Sequence, residues 1–293
     1  MFRGTGTALI TPFKNGKVDY SAFRRFVRFQ LENGIEALVV LGTTGESPCV
    51  SDNERKELTK IAVDESGGKV PVIVGTGTNS TQKTIELSNK AFDDGADGVL
   101  VVTPYYNKPT QEGLYRHYGE IATRVGGPVI IYNVPSRTGS NISPETVLKC
   151  AQFESIVGIK EASGNQYQVD YLIKLLRSTE AQMNVWSGND DQAFHLCFSG
   201  GDGVISVLSN IAPSQTVSMI RASIAGEINT ARDTHMQLLP LMNALFVETS
   251  PIPVKYAVYL LGYCENELRL PLVELTEKNE KVVRAAMEES GVL

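Results

Sequence analysis

Lys160 stands at the end of an apolar segment, where it could act as an amine nucleophile. The run at residues 156–160 reads IVGIK, the composition of a buried strand that ends on an ammonium group. A free lysine, with a pKa of about 10.4, is neutral in only about one molecule in 2,500 at pH 7, and apolar walls would raise its nucleophilicity by disfavouring the charged form. The segment therefore suits a lysine that forms a Schiff base, and equally a lysine that snorkels from a strand end.

Polar residues that follow other strand-like segments could complete the same site. They include Thr11, Thr43, Thr44, Tyr105, Tyr106, Tyr132, Asn133, Arg137, Asn189, Asp190 and Ser206. Together with Lys160 they supply an amine, several proton-carrying hydroxyls and a guanidinium, the groups that imine chemistry on a carboxylated carbonyl compound requires. A purely structural interpretation is also open, because threonines between glycines form turns and tyrosines at strand ends pack under loops.

The composition favours a protein that acts on a small molecule. The 293 residues carry a net charge of -6, and no basic run is interleaved with aromatic residues, so neither nucleic acid nor an anionic membrane is an expected partner. The chain opens without an apolar signal core, and no segment approaches the ~18 apolar residues of a membrane span. We therefore expect a cytoplasmic protein.

Neither a metal site nor a disulfide framework is expected. The three histidines are far apart without HxxH or HExxH spacing, and the four cysteines include no CxxC pair, so the thiols should be buried and reduced. Asp190 and Asp191 are sequence neighbours, and we expect them to cap a helix and interact with its dipole rather than to form a glycosidase carboxylate pair.

Eight β-rich segments recur along the chain, and each is followed by turn residues and a helix-period segment. They occupy residues 6–10, 37–41, 70–74, 98–102, 129–132, 156–160, 184–186 and 203–207. Their apolar composition is typical of parallel strands that are covered on both faces. Eight βα units predict an α/β fold, the (β/α)8 TIM barrel, in which strand carboxyl ends carry the active site. A doubly wound sheet is the alternative, but the turn at residues 11–14, TPFK, lacks its glycine fingerprint.

The βα repeat stops near residue 226, and only helix-period segments follow. We expect helices at residues 230–245, 251–261 and 276–289, which form a C-terminal helical extension. The predicted domains are a catalytic barrel at 1–225 and a C-terminal helical domain at 226–293. Two helix starts in the barrel carry clear signals: Ser51 and Glu54 form a capping box, and Ser143 stands before Pro144.

Four motifs resemble the signatures of the dihydrodipicolinate synthase family. They are GTTGE at residues 42–46, YYNKP at 105–109, YNVPSRTG at 132–139 and GIKEA at 158–162. The resemblance spans essentially the whole chain, including NELRLP at 266–271. It implies a lyase of the pyruvate-dependent class I group, with Arg137 marking the synthase branch.

The resemblance implies a reaction and its catalytic residues. Lys160 would form an imine with pyruvate, and the derived enamine would attack L-aspartate 4-semialdehyde to give 4-hydroxy-tetrahydrodipicolinate for lysine and diaminopimelate synthesis. Tyr132 would carry protons, and Thr43 would link it to Tyr106. The covalent imine would serve in place of a cofactor. In the family the counterpart of Tyr106 comes from a neighbouring subunit, which implies a dimer and usually a homotetramer built as a dimer of dimers.

The same resemblance implies how the substrates are bound. The backbone amides of Thr43 and Thr44 would hold the pyruvate carboxylate, and Arg137 would hold the carboxylate of the semialdehyde. Gly188 and Ile205 are expected to contact substrate, and Asp190 could line the same pocket.

Two alternatives remain open from the sequence. A 2-keto-3-deoxy sugar acid aldolase or an N-acetylneuraminate lyase would share Lys160 but would need a polyol pocket, which Arg137 disfavours. A non-catalytic barrel that binds a keto acid belongs to a different class of protein, and the complete set of Lys160, Tyr132, Tyr106 and Thr43 disfavours it.

The resemblance also bears on feedback inhibition by lysine. Ser47, Asn79 and Tyr105 match the lysine site of the family, but its sensitive members carry a histidine at the position of Arg55 and a glutamate at that of Lys83. Two cations there would repel the ammonium groups of lysine, so we expect inhibition to be weak or absent.

Overall fold

The computed structural model describes residues 1–179 and 181–293, and its centre is a closed barrel of eight parallel strands. The described residues form ten strands, of which β2 and β3 lie outside the barrel: β1 (Gly4–Ala8), β2 (Phe13–Lys14), β3 (Lys17–Val18), β4 (Ala37–Val40), β5 (Val72–Gly75), β6 (Gly98–Val102), β7 (Val129–Asn133), β8 (Ile156–Glu161), β9 (Asn184–Ser187) and β10 (Gly203–Ser206). The barrel order is β1, β10, β9, β8, β7, β6, β5, β4, and β4 pairs back onto β1. The predicted (β/α)8 barrel is confirmed.

Helices surround the barrel and continue beyond it. They are α1 (Tyr20–Glu32), α2 (Asp52–Ser66), α3 (Thr81–Asp93), α4 (Gln111–Arg124), α5 (Pro135–Thr138), α6 (Pro144–Cys150), α7 (Gln166–Arg177), α8 (Asp190–Phe198), α9 (Pro213–Ala225), α10 (Ile228–Ala244), α11 (Ile252–Leu260) and α12 (Glu277–Glu289). The last three form the predicted C-terminal helical extension. That residues 226–293 constitute a domain of their own stays a prediction. No helix in the described ranges is long and apolar enough to cross a membrane.

Both helix starts that the sequence signalled are confirmed. Ser51 accepts a hydrogen bond from the backbone of Glu54, whose carboxylate accepts one from the backbone of Ser51, so the capping box before α2 is complete. Ser143 caps α6 by accepting from the backbone of Thr146, with Pro144 at the first helical position. These caps satisfy amide groups that a helix start leaves unpaired.

Two barrel strands differ from their predicted bounds by two residues, because other groups bind or replace the backbone N–H groups concerned, and the remaining barrel strands differ by at most one residue. The first strand ends at Ala8 rather than residue 10, and the Ile10 N–H donates to Asn210 Oδ1 at 3.1 Å. The third barrel strand begins at Val72 rather than residue 70, because Val70 N–H donates to Ser66 Oγ at 3.3 Å and Pro71 has no N–H to donate.

A short hairpin follows the first strand and was not predicted. Strands β2 and β3 pair antiparallel around Asn15 and Gly16, whose φ angles are 54° and 75°. Asn-Gly with two positive φ angles is the usual two-residue hairpin turn, so this dipeptide could have predicted the hairpin from the sequence.

Two apolar layers fix which strand residues can reach a site. Val129, Ile131 and Ile159 pack outward against the helices, in the larger cluster of buried residues. The alternate residues Ile130 and Tyr132 face the barrel interior, in a second cluster that includes Trp186, Phe2 and Ile205. Successive strand residues point to opposite faces, so only alternate residues at each strand end can enter the barrel mouth.

Candidate active site

Lys160 and Tyr132 lie side by side inside the barrel. They are register partners on β8 and β7, so their side chains project from the same face of the sheet. Lys160 is 5% exposed, and its Nζ lies 4.4 Å from the centroid of the Tyr132 ring. An amine that is largely shielded from water is thus held against an aromatic face and close to a phenol.

Gly188, immediately after β9, allows the next loop to approach Lys160 closely. A Cβ at this position would lie 2.9 Å from Lys160 Cε and 2.7 Å from the Cβ of Ala162. The Gly188 N–H donates to the carbonyl of Glu161 at 2.7 Å, which fixes the loop against β8. A larger residue would displace either the loop or the lysine.

A cavity of about 740 Å³ opens over Lys160. Of the predicted site residues, Thr43, Thr44, Tyr132, Arg137, Lys160 and Gly188 line it. The far wall was not predicted: it consists of residues 246–250, which connect α10 to α11. A second cavity of about 360 Å³ borders the first, and six residues line both: Thr43, Tyr132, Val134, Arg137, Thr249 and Ser250.

The two threonines lie on a short 3-10 turn, Thr43–Gly45, which follows β4 after Leu41 and Gly42. Residues with left-handed backbone bracket this turn: Leu41 has a φ of 59° and Glu46 a φ of 51°. Such conformations cost non-glycine residues on the order of 1 kcal/mol and are maintained by surrounding contacts. One such contact is the hydrogen bond from Thr11 Oγ1 to the Gly45 carbonyl, at 2.7 Å.

Arg137 extends from the four-residue helix α5 toward the C-terminal extension. Its Nη2 donates to the carbonyl of Ser250 at 2.9 Å, across 113 positions of sequence. This contact uses one of the five N–H donors of the guanidinium. Arg137 is therefore oriented at the cavity wall while it retains the capacity to bind a carboxylate.

Glu161, next to Lys160, points to the opposite face of β8 and has a structural role. Its carboxylate accepts hydrogen bonds from Asn133 Nδ2 at 3.0 Å and from the backbone of Ser163 at 2.6 Å. Burial raises the pKa of Glu161, and these hydrogen bonds oppose that shift. The network ties the ends of β7 and β8 together and thereby supports Tyr132 and Lys160.

Asp190 is not the helix cap that the sequence predicted, and it does not line the cavity over Lys160. Asn189 occupies the cap position of α8, and Asp190 is buried, with Oδ2 accepting from the backbone N–H groups of Val207 and Leu208 at 2.9 Å each. Burial raises the pKa of Asp190, while the hydrogen bonds that it accepts oppose the shift. The side chain anchors the loop after β10 instead of facing solvent.

Two further predicted site residues lie away from the cavity wall. Tyr106 is 89% exposed and has a φ of 69°. Ile205 is fully buried in the barrel interior, in the same cluster as Tyr132. Their roles at the substrate stay predictions. In residues 1–179 and 181–293, no group of three or more His, Cys, Asp or Glu side chains is placed to hold a metal ion.

A shielded lysine beside a tyrosine, at the mouth of a (β/α)8 barrel, is the arrangement expected of a Schiff-base-forming enzyme. The model of the Dihydrodipicolinate synthetase family matches residues 1–290. The chain belongs to this family.

Proteins of the same family match this chain over its full length. The 4-hydroxy-tetrahydrodipicolinate synthase of Kosmotoga olearia is 62% identical over 293 residues, which cover 100% of both chains. The crystal structure of dihydrodipicolinate synthase from Thermotoga maritima is 54% identical, with a TM-score of 0.98 and 100% coverage of both chains. That of Acinetobacter baumannii, described as chloride-inhibited and complexed with pyruvate, is 40% identical, with a TM-score of 0.97 and 100% coverage of both. The predicted lyase activity is confirmed in preference to the sugar-acid alternatives.

Proposed function

We propose that this chain condenses pyruvate with L-aspartate 4-semialdehyde to give 4-hydroxy-tetrahydrodipicolinate, in lysine and diaminopimelate synthesis. The observation that carries the proposal is the position of Lys160, 5% exposed and 4.4 Å from the Tyr132 ring centroid at a cavity also lined by Arg137. The pyruvate complex of the Acinetobacter baumannii relative supports the choice of first substrate.

The first half of the reaction forms the nucleophile. The neutral amine of Lys160 attacks the ketone carbon of pyruvate, and loss of water gives a protonated imine. This imine withdraws electrons from the methyl group, which loses a proton and leaves an enamine. Tyr132, beside the amine, carries protons to the departing oxygen and away from the nitrogen. No cofactor is required, because the imine itself is the electron sink.

The second half joins the substrates and releases the enzyme. The enamine carbon attacks the aldehyde carbon of the semialdehyde, whose oxygen takes up a proton. The amino group of the same substrate then attacks the imine carbon, the bond to Lys160 breaks, and the ring closes. Arg137 holds the semialdehyde carboxylate, and the backbone amides of Thr43 and Thr44 hold that of pyruvate.

The assembly completes the site. Tyr106, which is 89% exposed in one chain, enters the cavity of a neighbouring subunit and joins the Thr43–Tyr132 proton path, so the working form is a homodimer or a homotetramer. A cytoplasmic location fits the cysteines, since Cys49, Cys150, Cys197 and Cys264 are all free thiols.

Borohydride reduction in the presence of pyruvate tests the proposal. A reduced pyruvate adduct should form on the peptide that carries Lys160, and it should be absent from the peptide that carries Lys255, which is also deeply buried. Lys160→Ala should abolish both labelling and turnover. An unlabelled wild-type chain, or labelling that survives Lys160→Ala, would contradict Schiff-base catalysis at this lysine.

A further inference from the structure

A buried ion pair joins the C-terminal extension to the threonine turn. Lys255, on α11, donates from Nζ to Glu46 Oε1, and neither side chain is exposed to solvent. The ammonium also lies 4.1 Å from the ring centroid of Phe13, and the second carboxylate oxygen of Glu46 accepts from the Arg269 backbone at 3.0 Å. The pair is fully enclosed by the barrel mouth and the C-terminal segment.

Glu46 stands at the end of the turn that carries the two threonines. It follows Thr43–Gly45 directly, and its own N–H donates to the Thr43 carbonyl at 3.1 Å. Its φ of 51° is a left-handed conformation, which needs external contacts to persist. The side chain of Glu46 supplies these contacts through Lys255 and Arg269, so a displacement of Glu46 would be transmitted to the amides of Thr43 and Thr44.

Stability alone does not account for this pair. Two charges lose their hydration when they are buried, and apolar residues of similar volume often replace such pairs with equal or better stability. An ion pair does, however, hold its two side chains in one defined arrangement. A charged hydrogen bond is directional, and separating the partners would leave an unpaired buried charge, which is costly.

We propose that Lys255 is a positioning residue for pyruvate: through Glu46 it holds the Thr43–Thr44 turn in the geometry that binds the substrate carboxylate. This proposal rests on the proposed function. It assigns to α11 a role in substrate binding although Lys255 itself lies outside the wall of the 740 Å³ cavity that contains Lys160.

Lys255→Met is the primary test, because it keeps the side-chain length and leaves Glu46 without its partner. The pyruvate concentration that gives half-maximal borohydride labelling of Lys160 should rise by at least about tenfold, the effect of losing a charged hydrogen bond. The KM for the semialdehyde should change little, because the buried neighbours Val254, Ala257 and Val258 keep α11, and with it the Ser250 contact to Arg137, in place.

Gln30→Met is the matched control. Gln30 is equally buried, accepts from Thr7 Oγ1 at 2.8 Å and donates to the Asn210 carbonyl at 3.3 Å, so its loss removes buried hydrogen bonds without touching the threonine turn. It should lower the midpoint of urea unfolding but leave the labelling midpoint unchanged. An unchanged labelling midpoint in Lys255→Met, or an equal rise in Gln30→Met, would overturn the proposal.

If the single variant does not fold, the double variant Glu46→Gln, Lys255→Met tests the positioning role of Lys255 instead. With both charges removed, its stability should be close to that of the wild type. A raised labelling midpoint in this stable protein supports the positioning role, and a wild-type midpoint refutes it. Absence of labelling in the wild type would instead count against the proposed function, so the two failures are distinguishable.

Discussion

Adjacent residues at the end of β8 have separate tasks because strand residues alternate. Lys160 faces the barrel interior and contacts Tyr132, whereas Glu161 faces outward and accepts hydrogen bonds from Asn133, the register partner of Glu161 on β7. The amine of Lys160 is thus shielded on the inner face of the strand, while hydrogen bonds on the outer face fix the position of the strand end. The same alternation explains why Tyr132 reaches the site and Asn133 supports it.

Arg137 should select the carboxylated aldehyde. Arg137→Ala is expected to lose about 1.5–3 kcal/mol of transition-state stabilisation with aspartate 4-semialdehyde, roughly a tenfold to hundredfold drop in kcat/KM, because a charged hydrogen-bond donor to the carboxylate is removed. Borohydride labelling of Lys160 by pyruvate should persist. Steady-state kinetics with varied semialdehyde measure the first effect, and mass spectrometry of the trapped adduct measures the second.

Arg116→Ala provides a control for this substitution. Arg116 is on the outer face of α4, where it pairs with Glu112 and its side chain is 77% exposed, so its loss should leave kcat/KM unchanged. If Arg137→Ala kept the kcat/KM of the wild type, Arg137 would have no role in substrate binding beyond its structural hydrogen bond to Ser250.

At the scale of elements, an ion pair between α2 and the C-terminal segment should make stability sensitive to acid. Arg269 holds Glu54 and lowers the pKa of that carboxyl from its ordinary value of 4.5 to about 2. A depressed pKa in the folded state stabilises the protein above pH 4.5, and the contribution is lost as the pH falls from about 4.5 to 2. The Glu54–Arg269 ion pair therefore contributes less to the free energy of unfolding in acid.

Glu54→Gln should be less stable than the wild type at pH 7, and the difference should shrink as the pH approaches 2. Urea unfolding at several pH values measures it. Glu112→Gln is the control, because its exposed pair with Arg116 should contribute little. A Glu54→Gln difference that is the same at pH 7 and pH 2.5 would contradict the assignment.

The sequence predicted the elements better than their long-range contacts. The strand pattern and the polar residues that follow each strand predicted that Lys160, Tyr132, Thr43 and Arg137 lie at the barrel mouth. Such predictions succeed because both signals are local in sequence. The cavity wall at residues 246–250 and the Glu46–Lys255 pair join positions that are more than a hundred residues apart, and no local pattern records such pairings. Asp190 was misjudged for a related reason, since its burial is produced by the loop after β10.

At the scale of the whole molecule, Tyr106 should join the sites of two subunits. Tyr106→Phe should reduce kcat while preserving the fold and the assembly, because it removes a proton-carrying hydroxyl and little volume. Tyr167→Phe is the matched control, since Tyr167 is also strongly exposed, at 76%, but lies on α7. Turnover by Tyr106→Phe equal to that of the wild type would show that the phenol has no catalytic role.

Subunit exchange extends this prediction. Inactive Lys160→Ala protein mixed with Tyr106→Phe protein should regain activity, because a mixed dimer contains one site with both residues intact. Native mass spectrometry would verify that exchange has occurred. No gain of activity after verified exchange would indicate that each chain completes its own site.

Free lysine should inhibit this enzyme weakly or not at all. The Arg55 guanidinium is fixed in place, with Nη1 donating to Ser47 Oγ at 2.7 Å and Nη2 to the Gly75 carbonyl at 2.5 Å. Arg55 therefore donates to the Ser47 hydroxyl that the family resemblance assigns to a lysine ligand, and it cannot turn away without losing these partly buried hydrogen bonds. The family resemblance assigns a second cation, Lys83 on α3, to the same site, and its Nζ lies 3.9 Å from a carboxylate oxygen of Glu86, which offsets part of its charge. A like charge at contact distance from the ligand costs on the order of a few kcal/mol at an effective dielectric of ~20.

Initial rates with up to about 10 mM lysine at saturating pyruvate measure this resistance. The paired substitutions Arg55→His and Lys83→Glu should increase sensitivity, because they remove both fixed cations and supply an acidic partner for an ammonium group. Lys56→Glu, also on α2, reverses a charge without altering Arg55 or Lys83 and should leave the rates unchanged. Wild-type inhibition with a midpoint below about 1 mM, a binding free energy of roughly 4 kcal/mol, would show that the two cations do not protect the site.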